Sequence, residues 1–150
     1  MLRLEDVMTR EVVTVPESES ALRAWALLRS RRIHHLVVTS GKAVAGVITD
    51  RDLGGPRGES VRNGRTVSEL MTRDPITAAP GVPVRQAARL LRNRSIGCLP
   101  VCSGNRLVGI ITVSTLLDAL GRGILAPQVH RERVTLSRRG PRRGRWGYPR

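Results

Sequence analysis

No phenylalanine occurs in these 150 residues, and two tryptophans and one tyrosine are the whole aromatic complement. A core built without large rings has to come from Val, Leu, Ile and Ala, which suits a Val/Ile-rich sheet covered by Leu/Ala helices. Cysteine is nearly as scarce, with Cys98 and Cys102 together in CLPVC. An extended strand holds residues four apart at roughly 13 Å, beyond the reach of a disulfide. His34, His35 and His130 lack the spacing that would join these thiols in a zinc site, so both cysteines read as buried and inert. No apolar run approaches the roughly 18 residues of a membrane span. The opening MLRLEDVMTREV has no apolar stretch of signal-peptide length, so the chain is expected in the cytoplasm. Its length leaves room for one compact domain or for two small halves sharing a core.

Negative charge is also sparse, with 12 Asp and Glu against 26 Lys and Arg and a net charge of +14. Lys42 is the single lysine against 25 arginines. Half of the net charge sits in residues 131–150, where Glu132 alone offsets eight arginines. That segment, RERVTLSRRGPRRGRWGYPR, mixes Arg with Gly and Pro and has almost no apolar periodicity, so it reads as a disordered basic tail. Trp146 and Tyr148 add stacking surfaces to its charge, the pairing that single-stranded nucleic-acid binders use. The same composition suits a solvated tail, or one that docks on a partner or an acidic membrane surface.

What the sequence does contain is a repeat. MTREVVT at Met8 returns as MTRDPIT at Met71, an offset of 63. From Leu22 to Leu53 the two copies align without a gap, matching Leu27 to Leu90, Leu28 to Leu91, Ile33 to Ile96 and Leu36 to Leu99, then SGKAVAGVIT to SGNRLVGIIT. Only the region of Pro16 and Pro80 needs a one-residue shift. Two such copies suggest a pseudo-twofold pair in which each buries what the other exposes.

The pattern predicts the same elements in both copies. A short turn at Leu4 to Met8 (Val67 to Met71) leads to a β-rich segment at Val12 to Val15 (Ile76 to Ala78), ended by proline. A helix follows, with Ala21, Leu22, Trp25 and Leu28 at helical spacing, matched by Val84, Ala87, Leu90 and Leu91. Two strands come next, Leu36 to Val38 and Val44 to Ile48 across Ser40-Gly41, mirrored by Leu99 to Val101 and Leu107 to Ile111 across Ser103-Gly104. A last helix starts after Thr49 or Thr112. In the second copy it runs from Ser114 to Leu120 and stops at Gly121, whereas Gly54, Gly55 and Pro56 end it almost at once in the first.

The order β-α-β-β-α, twice, with the VMTREVVTV opening, the IHHLVV and IGCLPV strands and the GVITDRD ending, resembles the cystathionine beta-synthase (CBS) domain in its tandem form, the Bateman module, of the stand-alone bacterial kind. The likeness covers roughly residues 1 to 125. The expected fold is α/β (α+β), with one domain at 8–65, a second at 71–128 and the tail at 129–150. The resemblance implies that the repeats pack sheet against sheet and bind an adenosine-containing ligand in a cleft between them. AMP, ADP, ATP, NAD and S-adenosylmethionine all qualify. It also implies a homodimer built through the helices and a partner to which occupancy is signalled, with no obligatory cofactor.

Physical chemistry supports one end of that cleft independently. Thr49-Asp50-Arg51-Asp52 stands where a strand delivers the chain to a helix start, a place where free N–H groups favour an anion and Thr49 can donate. A carboxylate that only accepts hydrogen bonds matches a ribose diol, which offers two donors, so Asp52 fits the ribose and not a phosphate. The same four residues also fit an ordinary capping carboxylate. From the resemblance, His34 takes the place of a basic residue that reaches phosphates, and Ile76 and Thr77 of the other copy face the adenine. A histidine there titrates near neutral pH and would make binding pH-sensitive. The second copy has Thr115 in place of Asp52 and Gly97 in place of His34, so one competent site is expected. Trp25, opposite Ala88 in the repeat, suits either the core or a contact between modules. No Ser/His/Asp, Cys/His or paired-carboxylate set lies outside the cleft, and the chain reads as non-catalytic.

Overall fold

Serine, small residues and β-branched runs divide the chain into short elements, and the computed structural model describes them for residues 1–123. The expectations for the tail at 129–150, for its nucleic-acid contacts and for the last residues of the second domain lie outside the described residues. In order the elements are α1 (Leu4–Val7), β1 (Thr14–Pro16), α2 (Ala21–Arg31), β2 (His35–Ser40), β3 (Ala43–Thr49), α3 (Glu59–Arg62), α4 (Val67–Leu70), β4 (Thr72–Arg73), α5 (Val84–Asn93), β5 (Cys98–Ser103), β6 (Arg106–Thr112) and α6 (Val113–Gly121).

The repeat persists down to single torsions. Helix α2 starts at Ser20, whose hydroxyl accepts the Arg23 N–H at 3.1 Å, and it buries Ala21, Ala24 and Leu28. Helix α5 buries Val84, Ala87 and Leu91 at the same offset. The residues that turn the chain out of these helices, Arg32 and Ser95, are both left-handed, at φ 54° and 51°. Gly41 and Gly104 both hold φ 59° in the turns joining β2 to β3 and β5 to β6, a conformation glycine adopts without steric cost.

Strands β1 to β4 form one sheet in that order, β1 parallel to β2 and the others antiparallel. Strands β5 and β6 pair antiparallel. Single-residue bridges extend them on both sides, Ala78 running parallel to Val101 and Thr9 antiparallel to Ile110. The second sheet therefore repeats the order of the first with its outer strands shortened. The strand expected at Ile76 to Ala78 is reduced to the Ala78 bridge, because Ala78 stands where the first copy has Val15 and brings less strand preference and less apolar surface.

Each half closes over a segment of the other. Val67 and Met71, at the start of the second copy, lie in the core of the first with Leu28, Leu36, Ile48 and Leu53. Leu4 and Met8, at the start of the first, lie in the core of the second with Leu91, Leu99 and Ile111. The docking is by backbone as well, Val67 N–H to Glu19 C=O at 2.8 Å and Leu4 N–H to Val82 C=O at 2.9 Å. A third apolar cluster, with Val37, Cys98 and Ile110 buried at its centre, joins the two sheets face to face. Both thiols are free. Cys98 is buried as expected, whereas Cys102, near the end of β5, is only half-buried. Trp25 is half-buried against the first core with the Arg62 guanidinium 4.2 Å above its ring. Among the described residues no helix is long and apolar enough to cross a membrane.

Candidate functional site

A cleft of about 600 Å³ opens where the end of β3 meets the second half of the chain. The first copy supplies His35, Val47, Thr49 and Asp50 to Asp52, and the second supplies Thr72, Asp74 to Ile76 and Ser95 to Cys98. Three of the residues expected from the sequence, Thr49, Asp52 and Ile76, thus meet in one cavity. Thr77 is exposed and does not line it, and neither does His34.

The start of β2 separates the two histidines. The strand begins at His35, whose pairing with Thr49 sets it in the cleft, while His34 lies in the bend before it. Its imidazole fills the space beside Gly97, where a Cβ would come within 2.5 Å of Nε2. His34, with a side chain 71% exposed, stands outside, its Nδ1 2.9 Å from Asp50 Oδ2. A phosphate reaching His34 would compete with that carboxylate. The place of His35 follows from its pairing with Thr49 once the start of β2 is known, and the bare position opposite, Gly97, is the signal in the sequence that a bulky group packs there.

Asp52 is held at the strand end by a reciprocal pair of bonds. Its Oδ2 accepts the Thr49 N–H at 3.0 Å, and its own N–H donates to Thr49 Oγ1 at 3.1 Å. Thr112 and Thr115 make the same exchange in the second copy, Thr115 N–H to Thr112 Oγ1 at 3.1 Å and Thr112 N–H to Thr115 Oγ1 at 3.4 Å. Asp52 therefore caps the turn with one oxygen, and it differs from its counterpart in charge and in the second acceptor oxygen it carries. Its field crosses to the other half. The Cys98 thiol is pushed up to about 11, first by burial and then by the Asp52 carboxylate.

Burial also pushes the His35 imidazole below its usual value, against the opposing pull of Asp50. A lowered folded value leaves both states neutral above about pH 6.5, and below it the unfolded chain takes up the proton first. Stability is therefore expected to fall as the pH drops below that point. Urea unfolding at pH 7.5 and 5.5 should show a larger loss of midpoint in the parent than in His35→Gln, and equal losses would contradict this account.

A profile of the CBS domain matches residues 4–53 and 67–122. The CBS domain-containing protein YhcV of Bacillus subtilis (strain 168) is 29% identical over 117 residues, 77% of this chain and 84% of that protein. The CBS domain pair of protein MJ0100, in complex with 5′-methylthioadenosine and S-adenosyl-L-methionine, superposes with a TM-score of 0.73 at 27% identity, covering 81% of this chain and 98% of that one. CBSX2 in complex with AMP superposes with a TM-score of 0.71 at 27% identity, with the same shares covered. Enzymes are matched over a small part of their length: the chain spans 23% of the inosine-5′-monophosphate dehydrogenase of Thermoplasma acidophilum. With both profile matches falling on the two copies of the repeat, and with sheets that the copies complete for each other, the chain belongs to the CBS domain family and folds as a CBS domain pair.

Proposed function

We propose that this chain is a non-catalytic regulatory module that binds one adenosine-containing molecule in the cleft and transmits its occupancy to a partner. The observation that carries the reading is the meeting of Thr49 and Asp52 from one copy with Pro75 and Ile76 from the other around a cavity of about 600 Å³. That volume lies within the usual range for small-molecule sites. In this reading Asp52 accepts from the ribose diol, Thr49 donates to the substituent beyond it, and Ile76 with the neighbouring Thr77 backbone covers the adenine. His34 acts from the rim. The neighbours that hold adenosine compounds, MJ0100 and CBSX2, support the ligand class.

Charge refines the choice. Asp50, Asp52 and Asp74 line the cleft against Arg51, a balance that repels a triphosphate more than a monophosphate or a sulfonium. AMP and S-adenosylmethionine are accordingly the better candidates, ahead of ATP. A second copy of the chain is the expected partner for α6, whose Val113, Leu117 and Leu120 are 49%, 62% and 51% exposed at helical spacing.

A thermal-shift screen followed by calorimetric titration tests the reading, since a ligand at 100 times its dissociation constant stabilises by about 2.7 kcal/mol. One site per chain is expected, with ATP the weakest of the three, and sedimentation of the same sample should give a dimer. Silence from all three compounds, or two equivalent sites, would overturn it.

A further inference from the structure

The two copies part company after their matching threonines. Beyond Thr112 the chain enters α6, whose own ladder holds it, but beyond Thr49 the backbone makes successive turns instead. Leu53, Gly54 and Gly55 donate backward to Thr49, Arg51 and Asp50, with Gly54 and Gly55 left-handed at φ 92° and 67°. A turn of this kind leaves the Leu53 carbonyl without the forward backbone donor that a helix would provide, while Gly55 C=O accepts the Gly58 N–H at 3.1 Å.

Arg62 supplies the missing donor to Leu53 from α3 and adds a second one to Gly55. Its side chain is almost fully buried, at 3% exposure, and Nη1 donates to Leu53 C=O at 2.8 Å and to Gly55 C=O at 2.7 Å. The guanidinium lies over the Trp25 ring, and Nε is buried without a hydrogen-bond partner. Burying a cation with one donor unsatisfied is costly, and an apolar side chain would fill the same volume without that penalty. What the arginine adds is a fixed pair of bonds to carbonyls one and three residues beyond Asp52. Gly58, which a Cβ would drive to 2.2 Å from Gly54 C=O, packs the same loop shut from its other end.

We infer that Arg62 is the positioning residue of the ligand cleft: it holds Leu53 and Gly55, and through them the turn that aims Asp52, in place of the helix that the first copy lacks. Trp25 is the platform on which its guanidinium is oriented. This rests on the adenosine-binding reading for its consequence, although not for the clamp itself.

The test uses the full chain with Arg62→Met, which keeps an unbranched chain against Trp25 but donates nothing, and Arg62→Lys, which keeps a cationic donor. Amide hydrogen exchange is followed at Leu53, Gly54 and Gly55 and, for reference, at Leu36 to Val38, while AMP and S-adenosylmethionine are titrated by calorimetry. In Arg62→Met the loop amides are expected to exchange about ten- to a hundred-fold faster with the β2 amides unchanged, and affinity to fall by about ten-fold or more. Arg62→Lys should recover most of both. Equal loss of protection in loop and β2, an unchanged loop, or a loosened loop with unchanged affinity would each overturn the inference. Should Arg62→Met fail to fold, Trp25→Leu removes the platform alone and should show the same pattern with smaller amplitude. If the parent binds neither compound, the functional reading falls, and the exchange comparison still decides whether Arg62 holds the turn.

Discussion

Asp52→Ala is expected to weaken binding of AMP or S-adenosylmethionine by one to two decades, while Thr115→Ala leaves it within about two-fold. Hydrogen bonds to a charged acceptor contribute roughly 1.5 to 3 kcal/mol each, and each 1.4 kcal/mol is about ten-fold in affinity. The difficulty is that Asp52 is also a cap, so alanine removes the acceptor of the Thr49 N–H together with the ribose contact. Loss of such a cap costs about 1 kcal/mol of stability. Thr115 resolves this, because its hydroxyl accepts the Thr112 N–H in the same geometry. Both alanine variants should therefore lose similar stability to urea, and Asp52→Ala alone should lose ligand. Asp52→Asn, which retains an acceptor for the cap but no charge, should keep its stability and bind with intermediate affinity. Equal affinities across Asp52→Ala, Thr115→Ala and the parent would reduce Asp52 to a cap.

The largest effect on folding is expected from the repeat-related leucines. Leu36 and Leu99 are fully buried, one in each main core, and truncating such a residue to alanine costs about 2 to 5 kcal/mol through lost transfer energy and the cavity left behind. Set against a total of roughly 5 to 15 kcal/mol for an ordinary domain, either variant should lower the urea midpoint steeply. Because α1 and α4 cross between the halves, each variant should still unfold in a single transition with the parent's slope. Leu22→Ala, at a 48% exposed position of α2, should change the midpoint little. Two separated transitions in Leu99→Ala would show that the halves unfold independently.

Much of this architecture could be read from residue spacing. The positions Ala21 and Leu28, repeated as Val84 and Leu91, mark helix faces, and the Ser-Gly turns at Gly41 and Gly104 fix both hairpins. Local pattern was sufficient there because the deciding interactions are a few residues apart. It was insufficient for α3, a single turn in a stretch rich in glycine, whose Arg62 bonds to residues seven and nine positions earlier. Nor does spacing reveal that α1 belongs to the other half's core, since Leu4 has the same local surroundings wherever it docks. Within the site, Asp52, Thr49 and Ile76 were recoverable from the repeat and its likeness to a family. His35 was not, because β2 begins between the neighbouring histidines and spacing alone does not say at which of them the strand starts.

The crossing of α1 and α4 also gives the chain a schedule. During synthesis the first half has every segment of its core once Met71 has emerged, since Val67 and Met71 are the last residues it requires. Leu4 and Met8, made first, have no place to settle until Val84, Leu99 and Ile111 exist. Domains generally fold as units from the N-terminus as the chain grows, yet here the earliest residues dock last. The cleft follows the same timetable: Thr49 and Asp52 are in place with the first half, and the wall that Ser95 to Cys98 provide arrives with the second. In the proposed reading, ligand therefore selects only chains whose second half has formed, and its binding would report that closure as well as the concentration of the ligand.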